Sequence, residues 1–250
     1  MKFLKMHYTV QQGMYFDECI ENEDYAIFLS KIVEDSFWNY SVLKNESDIE
    51  ITILKIENAF KKVDRNSCIY LLKNNYEKKL YDMKYELINT ETWMIYKQQN
   101  VRQISHNVIK VENEKQKQDF LEVFRDAYGG EVTLDNPYGD LSKSYYDALD
   151  RTFDNNNFVH FILYDNEIPA SIATICNVDN NMGIYNVGTK QQYRKKGYAT
   201  QVTNACINYA INNNYNNLFL QTEPDSNVEK LYRNIGFERI FLGYMYEKRK

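Results

Sequence analysis

The chain has 250 residues, 44% of them hydrophobic and 26% charged, which is enough apolar mass for one large or two modest cores. A net charge of −5 and a pI near 5.4 exclude a general nucleic-acid binder, which needs a broadly basic surface, but leave room for a local basic loop around an anionic ligand. No run approaches the roughly 18 apolar residues of a membrane span, and the start MKFLKMHYTV has lysines without a long apolar stretch, so a cytoplasmic protein is expected.

Cys19, Cys68, Cys176 and Cys206 are far apart, with no C-x-x-C pair and no adjacent His. They read as buried thiols, with no metal site and no redox dithiol.

From Met1 to about Lys97 helix and strand patterns alternate without a chemical motif. Glu23 to Val33 and Ile49 to Val63 carry apolar residues at helical spacing, whereas Ser67 to Lys73 and Tyr85 to Tyr96 read as strands. The aromatic clusters Phe37 to Tyr40 and Trp93 to Tyr96 read as core or interdomain packing before groove lining, given the area such rings bury. A polar stretch, Gln98 to His106, is the expected linker between residues 1–100 and 106–250.

Val108 to Val111 then reads as a strand, and Asn113 to Asp126 as a helix with Phe120, Val123 and Phe124 on one face. Tyr128 to Gly139 is turn-rich and precedes a second helix, Ser142 to Arg151. Phe158 to Tyr164 and Pro169 to Val178 are strands joined by Asp165-Asn166-Glu167, and Asp179 to Asn181 turns into the strand Gly183 to Val187. His160 lies inside the first of these strands, where a lone histidine is more often structural than a base.

The stretch Gly183 to Ala210, GIYNVGTKQQYRKKGYATQVTNACINYA, is a strand, a basic turn and a helix N-terminus. The first turn of a helix has N–H groups without intrahelical partners and the positive end of the macrodipole, so it welcomes an anion. Arg194, Lys195 and Lys196 add cations, and Gly197 and Ala199 keep bulk away from the backbone. Neither G-x-G-x-x-G nor G-x-x-x-x-G-K-[ST] is present. Further on, Asn217 to Thr222 reads as a buried strand and Val228 to Ile235 as a helix closed by Gly236, with Phe237 opening another strand.

Arg194-Lys-Lys-Gly197-Tyr-Ala199 resembles the [Q/R]-x-x-G-x-[G/A] signature of the GNAT superfamily of N-acetyltransferases. Leu231-Tyr232-x-x-x-Gly236-Phe237 resembles the second hallmark of the same superfamily, at the expected distance. The resemblance covers Val108 to Lys250 through these motifs and the first hundred residues by architecture alone. It implies an α/β (α+β) fold with a mixed, mostly antiparallel central sheet flanked by helices. It also implies that the first domain is a degenerate GNAT-like copy lacking the signature loop.

By the same resemblance the cofactor is acetyl-CoA. Its pyrophosphate would lie on Arg194, Lys195, Lys196, Gly197, Tyr198, Ala199 and Thr200, and its pantetheine and thioester on the main chain of Val187, Gly188 and Thr189. Tyr232 would protonate the departing thiolate, Glu223 is a candidate base, and Tyr128 and Tyr138 are candidate contacts to the acceptor. The sequence departs from the family at Gln191, often Pro, and at Lys195, often Gly. The helix-preceding Asn of the family falls on Asp225, while Asn227 either touches the cofactor or caps the helix. The expected reaction is acetyl transfer to a primary amine of a small molecule or peptide, with no nucleic acid or membrane as partner and homo-oligomerisation left open. A catalytically silent CoA-binding or interaction module of the same fold is the alternative.

Overall fold

A computed structural model describes residues 2–45, 48–129 and 141–249. The chain divides into two units that do not follow sequence order: unit 1 is Met1–Met94, Gln221–Lys230 and Arg239–Lys250, and unit 2 is Ile95–Leu220 and Leu231–Glu238.

Unit 1 begins with helix α1 (Lys2–Gln11) and the strands β1 (Glu18–Glu21), β2 (Tyr25–Leu29) and β3 (Tyr40–Leu43), paired as an antiparallel run. Helix α2 (Ile49–Lys62) crosses over to β4 (Cys68–Leu71), which lies parallel to β3, and α3 (Glu77–Asp82) leads to β5 (Tyr85–Tyr96). A parallel neighbour needs such a crossover because no tight turn can reverse the chain twice. Helix α2 follows its apolar spacing, burying Ile49, Ile53, Ile56 and Phe60 against Ile27, Leu29 and Ile69.

The helix expected over Glu23 to Val33 is not there: Tyr25–Leu29 is a strand with all five residues buried. A strand covered on both faces has no alternation to betray it, so apolar spacing alone cannot separate it from a buried helix. Three cysteines are buried as expected, but Cys19, on β1 beside the surface, is only half-buried.

The aromatic clusters do pack. Trp38 stacks on Tyr15 with ring centroids 4.1 Å apart, and Trp93 stacks on Phe241 at 5.3 Å, both within unit 1. Beneath them a polar chain runs through the core: the Trp93 Nε1 donates to the Tyr70 hydroxyl at 2.6 Å, which donates to the buried Glu91 carboxylate at 2.9 Å. Burial raises the Glu91 carboxyl to about 7. Gly243 makes room for this arrangement, since a Cβ there would collide with the Tyr70 hydroxyl.

Unit 2 contains β6 (Val108–Lys110), α4 (Glu114–Tyr128), α5 (Lys143–Asp150), β7 (Phe158–Asp165), β8 (Ile168–Val178) and β9 (Asn181–Thr189). Helix α6 (Tyr198–Asn212) and strand β10 (Asn217–Thr222) follow, and then α7 (Asn227–Ile235) and β11 (Phe237–Lys248), which continue into unit 1. Its strands lie in the order β10-β9-β8-β7-β6, all antiparallel except β9 and β10. In unit 1, β11 pairs antiparallel with β4, setting Tyr246 opposite Ile69.

The Asn113 side chain caps α4 by accepting the Gln116 N–H at 3.0 Å. The two hairpin turns have both central residues at positive φ, Asn166 and Glu167 in one, Asp179 and Asn180 in the other. That is the conformation whose twist suits a two-residue hairpin.

Successive residues of a strand face opposite sides of a sheet. His160 meets Phe120 of α4 and Phe161 meets Tyr209 of α6, so these helices cover opposite faces of unit 2. The element order of unit 1, an antiparallel run of three strands, a helix, a parallel strand, a helix and a strand, recurs from β7 to β11.

Candidate active site

The centre of the site is an irregularity in β9. Ile172 faces Gly188 and Thr174 faces Tyr185, so Ala173 alone stands opposite two residues, Asn186 and Val187. This is a β-bulge, and Asn186 carries the extra residue in the left-handed region at φ +53°. Asn tolerates that region better than most side chains.

The register of β10 on β9 runs from Asn217 opposite Asn181 to Phe219 opposite Gly183. Among the described residues no register on that side is found beyond Gly183. The Lys190 N–H donates to the Ala170 carbonyl at 3.0 Å. Ladder alternation then turns the main-chain groups of Val187 and Thr189 away from β8, towards the side where β10 has stopped pairing.

Each of these two carbonyls meets a side chain. The Tyr128 hydroxyl donates to Val187 at 2.9 Å, and the Arg194 Nε lies 3.4 Å from Thr189. Gly188 is a close approach: a Cβ there would meet the Ala127 Cβ at 2.8 Å and the Tyr128 ring at 3.2 Å.

After β9 the chain makes a short 3-10 turn, Gln191–Tyr193, and enters α6 through Gly197 at φ +80°. Nothing lies within 4 Å of where a Gly197 Cβ would be, so backbone conformation and not space demands the glycine. The first helical bond is from the Gln201 N–H to the Gly197 carbonyl, which leaves the first-turn N–H groups of Tyr198, Ala199 and Thr200 ahead of the helix ladder.

The cations of the loop are arranged unequally. Lys195 is exposed at φ +65°, Lys196 pairs with Asp165 at 3.1 Å, and the Arg194 guanidinium turns back towards the carbonyls of Thr189 and Ala127. Hydrogen bonds from Tyr198 and Lys196 hold the Asp165 carboxyl below its ordinary range.

Two anchors of this loop carry no motif. Lys190 is only 5% exposed and pairs with Glu122, while the Gln191 N–H donates to Asp126 at 2.9 Å. Glu122 and Asp126 are four apart and so share a face of α4, which is the pattern that could have revealed them.

Tyr232 lies on α7 and is 6% exposed, its ring 5.9 Å from that of Phe237 in an edge-to-face arrangement. Gly236, at φ +115°, ends the helix, and a Cβ there would fall 2.7 Å from the Gln98 amide and 2.9 Å from the Arg102 guanidinium. Arg102 caps the helix by donating to the Ile235 carbonyl. The stretch expected as a linker is thus fastened to unit 2: Asn208 of α6 accepts the Arg102 N–H at 2.7 Å and donates to the Arg102 carbonyl at 2.8 Å, and Gln201 accepts the Ser105 N–H at 2.7 Å.

Glu223 follows β10 and is half-buried, and burial raises its carboxyl. Asn227 does not cap α7. Ser226 does, its hydroxyl accepting the Glu229 N–H at 3.0 Å while Glu229 accepts the Asp225 N–H at 2.6 Å. The spacing Ser-x-x-Glu is a capping box that sequence reading could have recognised. Asp225 is held by Arg239 at 2.7 Å, and Arg239 also pairs with Glu229, which is 1% exposed. Tyr138 lies outside the described residues.

His160 belongs to the core. Its ring lies on Phe153 at 4.2 Å, with Thr152 and Thr174 hydroxyls at 3.0 and 2.9 Å, and burial lowers its pKa to about 3. Such an imidazole stays neutral at physiological pH.

Residues 118–237 match the model of the Acetyltransferase (GNAT) family. A curated relative described as "Uncharacterized N-acetyltransferase YobR", from Bacillus subtilis (strain 168), is 32% identical over 81 residues, which is 32% of this chain and 33% of that one. The match therefore spans about a third of the relative's length.

Among solved structures, a GCN5-related N-acetyltransferase from Kribbella flavida is similar over 99% of this chain and 95% of its own, with a TM-score of 0.71 at 13% identity. A functionally unknown conserved protein from Staphylococcus epidermidis ATCC 12228 matches over 94% of both chains, with a TM-score of 0.68 at 14% identity. A tandem GNAT protein from the clavulanic acid biosynthesis pathway matches over 89% of this chain and 77% of its own, with a TM-score of 0.59 at 8% identity. At these identities the likeness is one of fold, and it extends beyond the stretch that the family model covers. The bulged strand, the glycine entry into α6 and the family match coincide in one stretch: residues 118–237 of this chain form a GNAT-family acetyltransferase domain.

Proposed function

We propose that the chain is an acetyl-CoA-dependent N-acetyltransferase acting on a primary amine of a small molecule or peptide. The observation that carries this reading is the succession of a bulged β9 and a helix entered through a left-handed Gly197. One presents main-chain groups to an acyl donor, and the other presents N–H groups and a basic loop to a pyrophosphate. The cradle fits such a group, because nothing crowds the Gly197 position and Lys195 is exposed beside it.

Acetyl-CoA supplies an activated acyl group on a good leaving thiol. The lone pair of the neutral amine forms the new C–N bond, the C–S bond breaks, the thiolate takes a proton and the amide nitrogen loses one. Val187 and Thr189 orient the thioester through their main chain, and Tyr232 is the proposed donor to the thiolate, a free tyrosine phenol having a reference pKa of about 10. Glu223 is the proposed base. Burial shifts its carboxyl upwards, the direction a base needs.

Thermal unfolding with acetyl-CoA, together with thiol release across an amine panel, tests the reading. At about a hundred times the dissociation constant, binding to the native state adds roughly 2.7 kcal/mol. A folded protein whose melting temperature does not move would reject the cofactor assignment. A shift without thiol release for any amine would mark a silent CoA-binding module.

A further inference from the structure

The bulge needs something to hold it. The extra residue at Asn186 lies in the left-handed region at φ +53°, and beside it the Val187 carbonyl points away from β8 and takes no part in that ladder. The Tyr128 hydroxyl, at the last residue of α4, donates to that carbonyl at 2.9 Å. The Tyr128 ring lies over Gly188, close enough that a Cβ would meet it at 3.2 Å, and is itself set by Phe124 at 4.9 Å. On the other side of the same peptide run, the Ser171 hydroxyl donates to the Gly188 carbonyl at 2.9 Å.

A peptide unit is planar, so fixing the Val187 oxygen fixes the whole plane between Val187 and Gly188. We infer that Tyr128 is a positioning residue for acyl transfer: by clamping the Val187 carbonyl and covering Gly188 it locks the β9 bulge in the orientation that receives the thioester. The inference rests on the acyl-transfer reading. It assigns Tyr128 an action through the strand instead of a contact to the acceptor.

Phenylalanine at this position keeps the ring and its packing and removes the hydrogen bond. In full-length Tyr128→Phe the turnover number should fall about tenfold, the loss of one well-placed hydrogen bond at a rate-determining geometry. The apparent acetyl-CoA affinity should change by less than about twofold, because the phosphate loop is untouched. In the ligand-free protein the backbone amide signals of Val187 and Gly188 should shift and exchange with solvent faster, while signals of β7 stay in place.

Unchanged turnover together with unchanged amide signals would overturn the clamp. So would a tighter apparent affinity at constant turnover, since the hydroxyl would then be competing with the donor for the Val187 carbonyl. If the wild type itself releases no thiol with any amine, the acyl-transfer reading fails and takes the catalytic consequence with it, while the amide signals still decide whether Tyr128 holds the bulge.

Discussion

A phenol keeps its proton at neutral pH and yields it only to a base as strong as a thiolate, which sets what Tyr232→Phe should do. Packing against Phe237 survives, turnover falls by on the order of a hundredfold to ten-thousandfold, and the apparent acetyl-CoA affinity moves far less. Steady-state kinetics with an identified acceptor decides this, and an unaltered turnover number would remove Tyr232 from the chemistry. Glu91 makes a separate prediction. Its carboxyl titrates near 7 in the fold against 4.5 unperturbed, so the folded state binds the proton more tightly. Its contribution is fully present below pH 4.5 and is lost as pH rises through 7. Buried His7 and His160, both lowered to about 3, act in the opposite sense and cost stability as pH falls below 6.5. Glu91→Gln should therefore abolish a pH-dependent loss on the order of 3 kcal/mol between pH 4.5 and 8. Urea unfolding across that range is the measurement, and a wild-type-to-variant difference that stays constant with pH would contradict it. None of this was legible in the sequence, where Glu91 is one acid in a strand among many. Its environment is made by Tyr70 and Trp93, and only the fold brings those two side chains to one point.

The elements that could be read from sequence are those whose cause is local. Gly197 and Gly236 announce themselves because only glycine takes φ +80° or +115° at little cost, and both fall where helices begin or end. Strand β2 hid because both its faces are buried, and the docking of residues 98–106 hid because it depends on Asn208 and Gln201, a hundred residues away on α6. Space and conformation separate the two glycines. Gly197→Ala meets no atom and should cost about 1 kcal/mol through φ alone. Gly236→Ala must also displace Gln98 and Arg102, so its loss should be the larger. Chemical denaturation of the two variants should show this ordering, and acetyl-CoA binding should weaken for Gly197→Ala more than for Gly236→Ala. Equal stability losses would mean that the contacts at Gly236 yield without cost.

At the scale of the whole molecule, the repeated element order invites a comparison of the two crossover junctions. Where unit 2 enters α6 with Lys195, Lys196 and Gly197, unit 1 enters α2 with Asp48 before the helix and Glu50 in its first turn. Carboxylates at a helix N-terminus already satisfy its dipole and repel a phosphate. Calorimetry on the full chain should accordingly find one acetyl-CoA site, and a stoichiometry of two would show that unit 1 has kept a binding site of its own. The signature loop made this asymmetry readable, but the exchange of segments was not, because nothing in the residues after Phe237 says which earlier strand they will join. That exchange bears on biosynthesis. Strand β11 pairs with β4 inside unit 1, yet it leaves the ribosome after the segments of unit 2. Strand β4 therefore stays without this neighbour until the segments of unit 2 that separate it from β11 have been made. During synthesis β4 thus presents an unpaired edge on this side, and a truncation that removes β11 leaves unit 1 with that edge open.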